Sequence, residues 1–512
     1  MASSFKNIIQ IFFIVWVLAR YDALFFLKQT IYIRILVFIA SIGHGPSKKL
    51  RDGQRLAVAL QTLGPSYIKF GQAMATRPDL VGEKIATDLS ELQDQLPPFS
   101  SNKARDIIQA TLGRSIDELF LEFDNKPIAA ASIAQVHRAK TKEGELVAVK
   151  VLRPDIEKAF AKDLKLFSWL ANLAERIIPA SRRLKPKEAI QIFSSSVQIE
   201  MDLRLEGAAA AELSENMSII EEFIIPKVYW SHTGREVLTL QWMEGIRIDD
   251  IQSLRSSGHD PAIVLSHAAN AFFRQVFYHG FFHADLHPGN LLVNPNGNVV
   301  AVDFGIMGRL EKQTRCYLAE MLLGFLSGNY ERVADIHFEA GYVPKNQSRT
   351  LFKQAVRAIG EPIMEQPLKD ISVSRLLGHL FQVTRSFEME TQPQLLLLQK
   401  SLLMAEGLSR QLNPEGNMWQ IARPLIEDWA ATNMGPKAQV SEIIKSGLMA
   451  TKALPNIIKK TETVLDELEQ QAKNKAKGNL NLSIFKKQIS ISNFLLFIAI
   501  SLLTVLIVLI SI

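Results

Sequence analysis

The sequence predicts an α+β chain of two lobes, a small strand-rich one followed by a larger helical one. A helical extension precedes them and one apolar helix follows. Three observations predict this. Between Ile116 and Leu152 the runs LFLEF, IAQVHRAKT and LVAVKVL are short, rich in β-branched and aromatic residues, and separated by turn-forming segments. From Gln313 onward the chain reads as mostly helical. Its last stretch, Ile491–Ile512, carries no charged residue.

A chain of 512 residues is too long for one small core and suggests several units. Hydrophobic residues make up 47% and charged residues 21%, an ordinary globular balance with some extra apolar mass. Basic residues outnumber acidic ones by 58 to 52, a net charge of +6. That excess is too small over such a length to favour a nucleic-acid partner. Cys316 is the single cysteine, so no intrachain disulfide forms; it reads as a structural thiol in a reducing compartment.

Residues 1–100 read as a helical extension ended by the breaker Pro97–Pro98. Ile8–Ala19 is an apolar run too short to span a bilayer, and Arg20, Asp22, Lys28 and Arg34 interrupt its continuation. It reads as an amphipathic or interfacial helix, with packing on the body as the alternative. No cleavage site follows that would make it a secretory signal. Residues 101–245 form the strand-rich lobe, with one long helical region from Pro154 to Asn216 and a further strand in VLTLQWMEG.

Residues 246–435 form the helical lobe. Within it, helix Pro261–Tyr278 leads to HADLHPGN, a strand LLV, a turn NPNGN and a strand VVAVDFG. The Asn296–Gly297 pair favours a tight hairpin between those strands. Residues 436–490 read as a helical juxtamembrane segment, with Ile457, Thr461, Val464, Leu465 and Leu468 on one stripe. Lys473, Lys475, Lys477, Lys486 and Lys487 follow, and no acidic residue occurs after Glu469. At ~1.5 Å per residue, Ile491–Ile512 is long enough to cross a hydrocarbon core of ~30 Å. The expectation is a single-pass span with the body on the cytoplasmic side, where flanking lysines stay. No internal repeat is present.

The chemistry-bearing stretches are HADLHPGN and, after the hairpin, VDFG. Phosphoryl transfer needs a carboxylate near the nucleophile and hard oxygen ligands for a metal spanning the phosphates. Asp285 suits the first role; Asn290 and Asp303 suit the second. Strand lobe, hinge and helical lobe in that order are the plan of a protein kinase fold. Lys150, inside the apolar strand LVAVKVL, is costly to bury without a partner and sits where a kinase strand lysine meets the α- and β-phosphates. Its carboxylate partner is open among Glu200, Asp202 and Glu206; six residues rotate by about 240°, so Glu200 and Glu206 serve different partners. Where kinases place a glycine-rich loop, this chain reads Ala129, Ala130, Ala131 and Ser132, continuing through Ile133, Ala134, Gln135 and Val136. Alanine restricts the backbone freedom that glycine gives, so the approach to phosphates differs. His283 and His287 are four apart, but Pro288 and Gly289 make the segment a loop, and orienting that loop is the better role for them than binding a metal.

With these motifs the sequence resembles the UbiB family of atypical kinases, over about residues 20–430. LGPSYIKFGQAMATRPDL carries the K-x-G-Q signature as Lys69, Gly71 and Gln72 and continues through Thr76, Arg77 and Asp79; Glu200 and Asp202 form an E-x-D pair. The resemblance implies that Lys69 reaches into the cleft and pairs with Glu200 and Asp202, Lys69, Gln72, Glu200 and Asp202 being regulatory. It implies Glu206 as the partner of Lys150, and nucleotide contacts from Ala129–Val136, Lys150 and Glu206. EGAAAAEL departs from the family after Glu206, where Ala and then Asn are usual. The implied cofactors are ATP or ADP with Mg2+. The implied activity is ATPase-like, supporting the hydroxylation steps of ubiquinone synthesis at a bacterial cell inner membrane. Implied partners are membrane lipids, prenylated quinone precursors and other ubiquinone-biosynthesis proteins. An extension lying across the cleft disfavours protein substrates, so ATP hydrolysis or a small or lipid acceptor is expected. Two other readings are a nucleotide-switched lipid-binding scaffold and a small-molecule phosphotransferase of the choline or aminoglycoside kind, whose motif is similar.

Overall fold

The structure is a computed structural model. It describes residues 2–25, 50–75, 81–90, 92, 96–177, 186–364, 383, 386–389, 392–415 and 418–434. Apart from Met434, these belong to one compact unit, Met1–Asn433.

The extension consists of α1 (Ala2–Arg20), α2 (Asp52–Leu63), α3 (Pro65–Ala75) and α4 (Glu83–Ser90). Helix α1 exists as expected and is two-faced: Val17 packs with Ala23 and Ala59, while Phe12, Phe13 and Trp16 are exposed. Helix α3, which carries Lys69, lies tightly on α2. A Cβ on Gly71 would meet Leu60 Cδ1 at 2.7 Å and Leu92 Cδ2 at 3.3 Å, so glycine here lets those leucine side chains pack close to α3. One reading changes at the start of the strand-rich lobe. Ser101–Leu112 is a helix, α5, and Ile116–Leu119 is a helical turn, α6, rather than strand. Ser115 caps that turn: its hydroxyl accepts from Glu118 N at 3.3 Å, and Glu118 reaches back to Ser115 N at 2.7 Å.

The first lobe is an antiparallel sheet of β1 (Phe120–Phe123), β2 (Ala129–Ala130), β3 (Ala134–Thr141), β4 (Leu146–Leu152) and β6 (Val237–Gln241), in order β1-β3-β4-β6 with β2 also on β3. Val147, Val149 and Val151 point to one face and pack with Ala104 and Ile108 of α5. By the two-residue period of a strand, Ala148 and Lys150 take the other face. The single long helical region expected from Pro154 to Asn216 is instead α7 (Ile156–Ile177), α8 (Pro186–Glu200) and α9 (Leu203–Asn216). The break at Met201–Asp202 arises because Asp202 caps α9, its carboxylate accepting from Arg204 N at 3.1 Å. Phe70 of α3 packs against Phe167 of α7 and Phe193 of α8, with centroids 5.0 and 5.6 Å apart, which fixes the extension on the lobe's helices.

The second lobe starts with β5 (Phe223–Ile224), β7 (Ile246–Arg247), α10 (Ile251–Ser256) and α11 (Pro261–Arg274), the last continued by a wide turn, Gln275–His279. Then come β8 (Phe281–His283), β9 (Leu291–Val293), β10 (Val299–Ala301) and β11 (Met307–Arg309). The sheets are β5-β10-β9-β7 and β11-β8. The β9–β10 hairpin is present: Asn294 N donates to Asn298 O at 2.9 Å, and Gly297 takes φ +84°, the left-handed conformation glycine adopts freely. Helices α12 (Lys312–Leu326), α13 (Tyr330–Glu339), α14 (Arg349–Met364), α15 (Pro393–Leu412) and α16 (Met418–Met434) complete the lobe. Tyr330, Val333, Phe338, Phe352 and Val356 form a core among α13 and α14.

The expected inner-membrane localisation through a C-terminal span is corrected: among the described residues no helix is long and apolar enough to cross a membrane. Residues 436–490 and 491–512, on which the juxtamembrane helix and the span were read, lie outside the described residues, as do Thr76, Arg77 and Asp79.

Candidate active site

Lys150 leaves the sheet on the face opposite the valine core and meets two carboxylates. Its Nζ lies 2.7 and 2.9 Å from the two oxygens of Glu206 on α9, and 3.3 Å from Asp303 Oδ2 beyond β10. Among Glu200, Asp202 and Glu206, the partner of Lys150 is therefore Glu206. Lys150 and Glu206 are largely dry, with side chains 15% and 8% exposed, whereas Asp303 keeps 44%. Burial works against the lysine's charge, but Asp303 and Glu206 outweigh it and push the Lys150 ammonium above its ordinary value. Burial, with the nearby charge of Asp303, pushes Glu206 up against the pull of Lys150. The Phe304 N–H also bonds Glu206, tying α9 to the Asp-Phe-Gly turn.

Asp303 is set by that same turn. Its Oδ1 accepts from Gly305 N at 2.9 Å. Loss of water around it favours the neutral acid, yet the Lys150 ammonium, the Gly305 N–H and the charge of Lys69 prevail and hold the carboxyl down at about 2.

Asp285 lies in the loop after β8. Asn290 Nδ2 donates to its Oδ2 at 3.0 Å and to its backbone carbonyl at 3.1 Å. Val302 N donates to Asn290 O at 3.0 Å, which puts Asn290 one residue in register from Asp303. The hairpin thus brings Asp285, Asn290 and Asp303 to one end of the β9–β10 pair. His283 supports them from below. It is buried, and burial pushes its imidazole below the ordinary value, so it is neutral. Nδ1 accepts from Asp285 N at 3.2 Å, so Nε2 carries the proton and donates to the Asp303 carbonyl. Gln275 of the wide turn accepts from His283 N at 2.9 Å. His287 Nδ1 accepts from Gly289 N at 3.0 Å. Both histidines orient the loop, and no group of three or more His, Cys, Asp or Glu that could hold a metal occurs among the described residues.

The alanine segment is a narrow turn: Ala129 and Ala130 pair with Val136 and Gln135, and Ala131 N donates to Ala134 O at 2.8 Å. Arg153 fastens it, with Nε donating to Ala131 O at 2.9 Å and its guanidinium reaching Pro97 O at 3.0 Å. Val136 lies opposite Lys150 and Ala134 opposite Leu152, so both share the lysine's face. The Gln135 side chain lies away from Lys150. Gln135 pairs with Val151 on the other face, is buried, accepts from Phe99 N at 3.0 Å and meets His137 Nε2 at 2.8 Å. It binds the sheet to the end of the extension.

Lys69 Nζ lies 2.9 Å from Glu200 Oε2, both side chains 12% exposed. Asp202, expected to share Lys69, is engaged by Arg204 at 2.5 Å and caps α9. Gln72 is half-buried on the same helix as Lys69.

Sequence reasoning missed Lys400. It projects from α15, and its Nζ lies 2.8 Å from Asp285 Oδ1. The signal that flags Lys150 was there too: one lysine inside the apolar run LLLLQKSLLMA.

Residues 91–337 match the model of the ABC1 atypical kinase-like domain, and residues 356–417 that of the UbiB helical domain. A protein of Marinobacter nauticus named "Probable protein kinase UbiB" is 39% identical over 489 residues, 94% of this chain and 89% of that one. A protein of the same name from Aliivibrio fischeri is 42% identical over 430 residues, 83% and 78% of the two chains. A solved structure, Rv3197 of Mycobacterium tuberculosis in complex with erythromycin, is 23% identical, covers 67% of this chain and 91% of its own, and has a TM-score of 0.47. The chain belongs to the UbiB family of atypical kinase-like proteins.

Proposed function

We propose that the protein binds a magnesium nucleotide between its lobes and hydrolyses ATP, or transfers its phosphoryl group to a small or lipid acceptor, in support of the hydroxylation steps of ubiquinone synthesis. The observation that carries this reading is the contact of Lys150 with both Glu206 and Asp303, which joins the strand lobe to the Asp-Phe-Gly turn. That contact supports the reading: phosphoryl transfer uses a cation on the phosphates and a carboxylate on the metal, and Lys150 and Asp303 suit those roles.

The donor set fits magnesium, which takes oxygen ligands and prefers few from protein. Asp303 offers a carboxylate that stays ionised, and Asn290, its Nδ2 committed to Asp285, offers Oδ1. Bound there, magnesium would neutralise phosphate charge. Lys150 holds the α- and β-phosphates; Asp285 receives the nucleophile's proton. His283 keeps Asp285 and Asp303 aligned through its two ring nitrogens. Ala134 and Val136, on the face of Lys150, form the roof. Lys69, tied to Glu200 by the extension, narrows the cleft and favours small acceptors over proteins. The setting in ubiquinone synthesis rests on family membership.

Purified full-length protein with Mg2+ and radiolabelled ATP tests the chemistry. Phosphate release without labelling of added proteins is expected; robust labelling of proteins contradicts it. A strain lacking the protein should lose ubiquinone and accumulate under-hydroxylated precursors, and the Asp303→Asn variant should fail to restore it.

A second reading, a nucleotide-switched lipid binder, is favoured by one observation. A cavity of about 210 Å³ in the helical lobe is lined by apolar side chains including Phe273, Phe277, Met321, Phe352 and Leu402. Nucleotide binding with negligible turnover, with or without prenylated precursor, would select it.

A further inference from the structure

The loop His283–Asn290 contains no lysine or arginine. Its Asp285 has a cation nevertheless, and that cation comes from another segment of the chain. Lys400 Nζ lies 2.8 Å from Asp285 Oδ1, the two side chains 25% and 27% exposed. Asp285 falls in residues 91–337 and Lys400 in residues 356–417, so the kinase-like segment and the helical segment meet at this ion pair.

The position of Lys400 is fixed by packing. Helix α15 contacts α11 and β11, and β11 is paired with β8, whose last residue is His283. Leu398 and Ser401 beside it are buried. The other two lysines described in the site are committed elsewhere: Lys150 to Glu206 and Asp303, Lys69 to Glu200. Lys400 is therefore the lysine that meets Asp285.

Both oxygens of Asp285 are occupied, Oδ1 by Lys400 and Oδ2 by Asn290. Each contact uses part of the acceptor capacity of Asp285 and lowers its basicity, so release of Lys400 would free Oδ1 to take a nucleophile's proton more readily. During phosphoryl transfer, negative charge spreads over the equatorial oxygens of the moving group, and a partly dehydrated cation beside them lowers the barrier.

We propose that Lys400 is a catalytic residue of this site: it rests on Asp285 when no nucleotide is bound and turns to the transferring phosphoryl group when ATP occupies the cleft. The proposal rests on the nucleotide reading above and deepens it. With water as acceptor, the water oxygen bonds to the γ-phosphorus. The bond from that phosphorus to the β,γ-bridging oxygen breaks, and ADP leaves with the electron pair. The proton of the water passes to the freed Oδ1 of Asp285 and then to solvent. Lys400 keeps its own protons and donates hydrogen bonds throughout.

The test uses the full chain and three measurements: MgATP turnover, MgADP affinity by calorimetry, and the melting transition. Lys400→Met should lower kcat about 100-fold while leaving MgADP affinity within about two-fold, because ADP lacks the γ-phosphate. Lys400→Arg, which keeps the charge, should recover part of the loss. A Lys400→Met protein that keeps pace with the unaltered chain overturns the proposal. So does one that loses MgADP affinity as steeply as turnover, since that marks a structural ion pair. Should Lys400→Met fail to melt cooperatively, Lys400→Gln is read the same way; if it too fails, the residue is structural and the proposal falls. Absence of turnover by the unaltered chain overturns the nucleotide reading itself, a different result from turnover that ignores the substitution.

Discussion

Lys150 Nζ stands 3.3 Å from Asp303 Oδ2, so a strand residue of the first lobe and the acidic residue of the Asp-Phe-Gly turn share one contact. The same ammonium is held at 2.7 Å by Glu206, whose side chain is 8% exposed.

Removing that ammonium leaves a buried carboxylate without its counter-charge. Lys150→Met should therefore destabilise the protein by about 3–5 kcal/mol in guanidinium unfolding. Replacing both members, Lys150→Met with Glu206→Leu, should recover most of the loss, because no unpaired charge is then buried. A single variant as stable as the original would show that the pair carries no such strain.

The seat of Lys69 depends on a glycine. A methyl group on Gly71 meets Leu60 Cδ1 at 2.7 Å and Leu92 at 3.3 Å, so the Leu60 side chain or the α2–α3 packing must give way. Gly71→Ala should cost about 1–3 kcal/mol and raise hydrogen exchange in α2 and α3 before the sheet is affected. Unchanged exchange in those helices contradicts this packing.

Glu406 of α15 is buried, and one of its oxygens has no hydrogen-bond partner. Burial, partly opposed by Arg410, pushes its carboxyl from 4.5 up to about 7. The folded protein thus binds this proton more tightly than the unfolded chain. The stability it contributes is fully present below pH 4.5 and is lost as pH rises through about 7. Glu406→Gln, which does not ionise, should gain about 3 kcal/mol relative to the original chain between pH 5 and pH 8. Urea unfolding at both pH values checks it; a difference that does not change with pH removes the explanation.

What the sequence revealed and what it hid follow from how local each signal is. Lys150 in its apolar strand, Asn296–Gly297 at the hairpin, and Asp285, Asn290 and Asp303 around it lie within short windows, and β9 and β10 converge as their turn residues dictate. Lys400 meets Asp285 across 115 residues, with no spacing rule to join them. Asp202 was misassigned because a carboxylate before a helix serves equally as a cap, and Arg204 two residues on takes the charge. Gln135 faces away from Lys150 because one residue of strand register turns a side chain to the opposite face. Helix α5 went unread because its apolar face is short: Ala104 and Ile108 are its buried residues.

The proposed function requires Asp303 and Lys150 together to hold a magnesium nucleotide between the lobes. Calorimetric titration of the purified chain with MgADP, beside Asp303→Asn, tests it most directly. The account predicts saturable binding that requires Mg2+ in the original protein, and its loss in a variant that still melts cooperatively. Equal binding by both proteins, or binding indifferent to Mg2+, would contradict it.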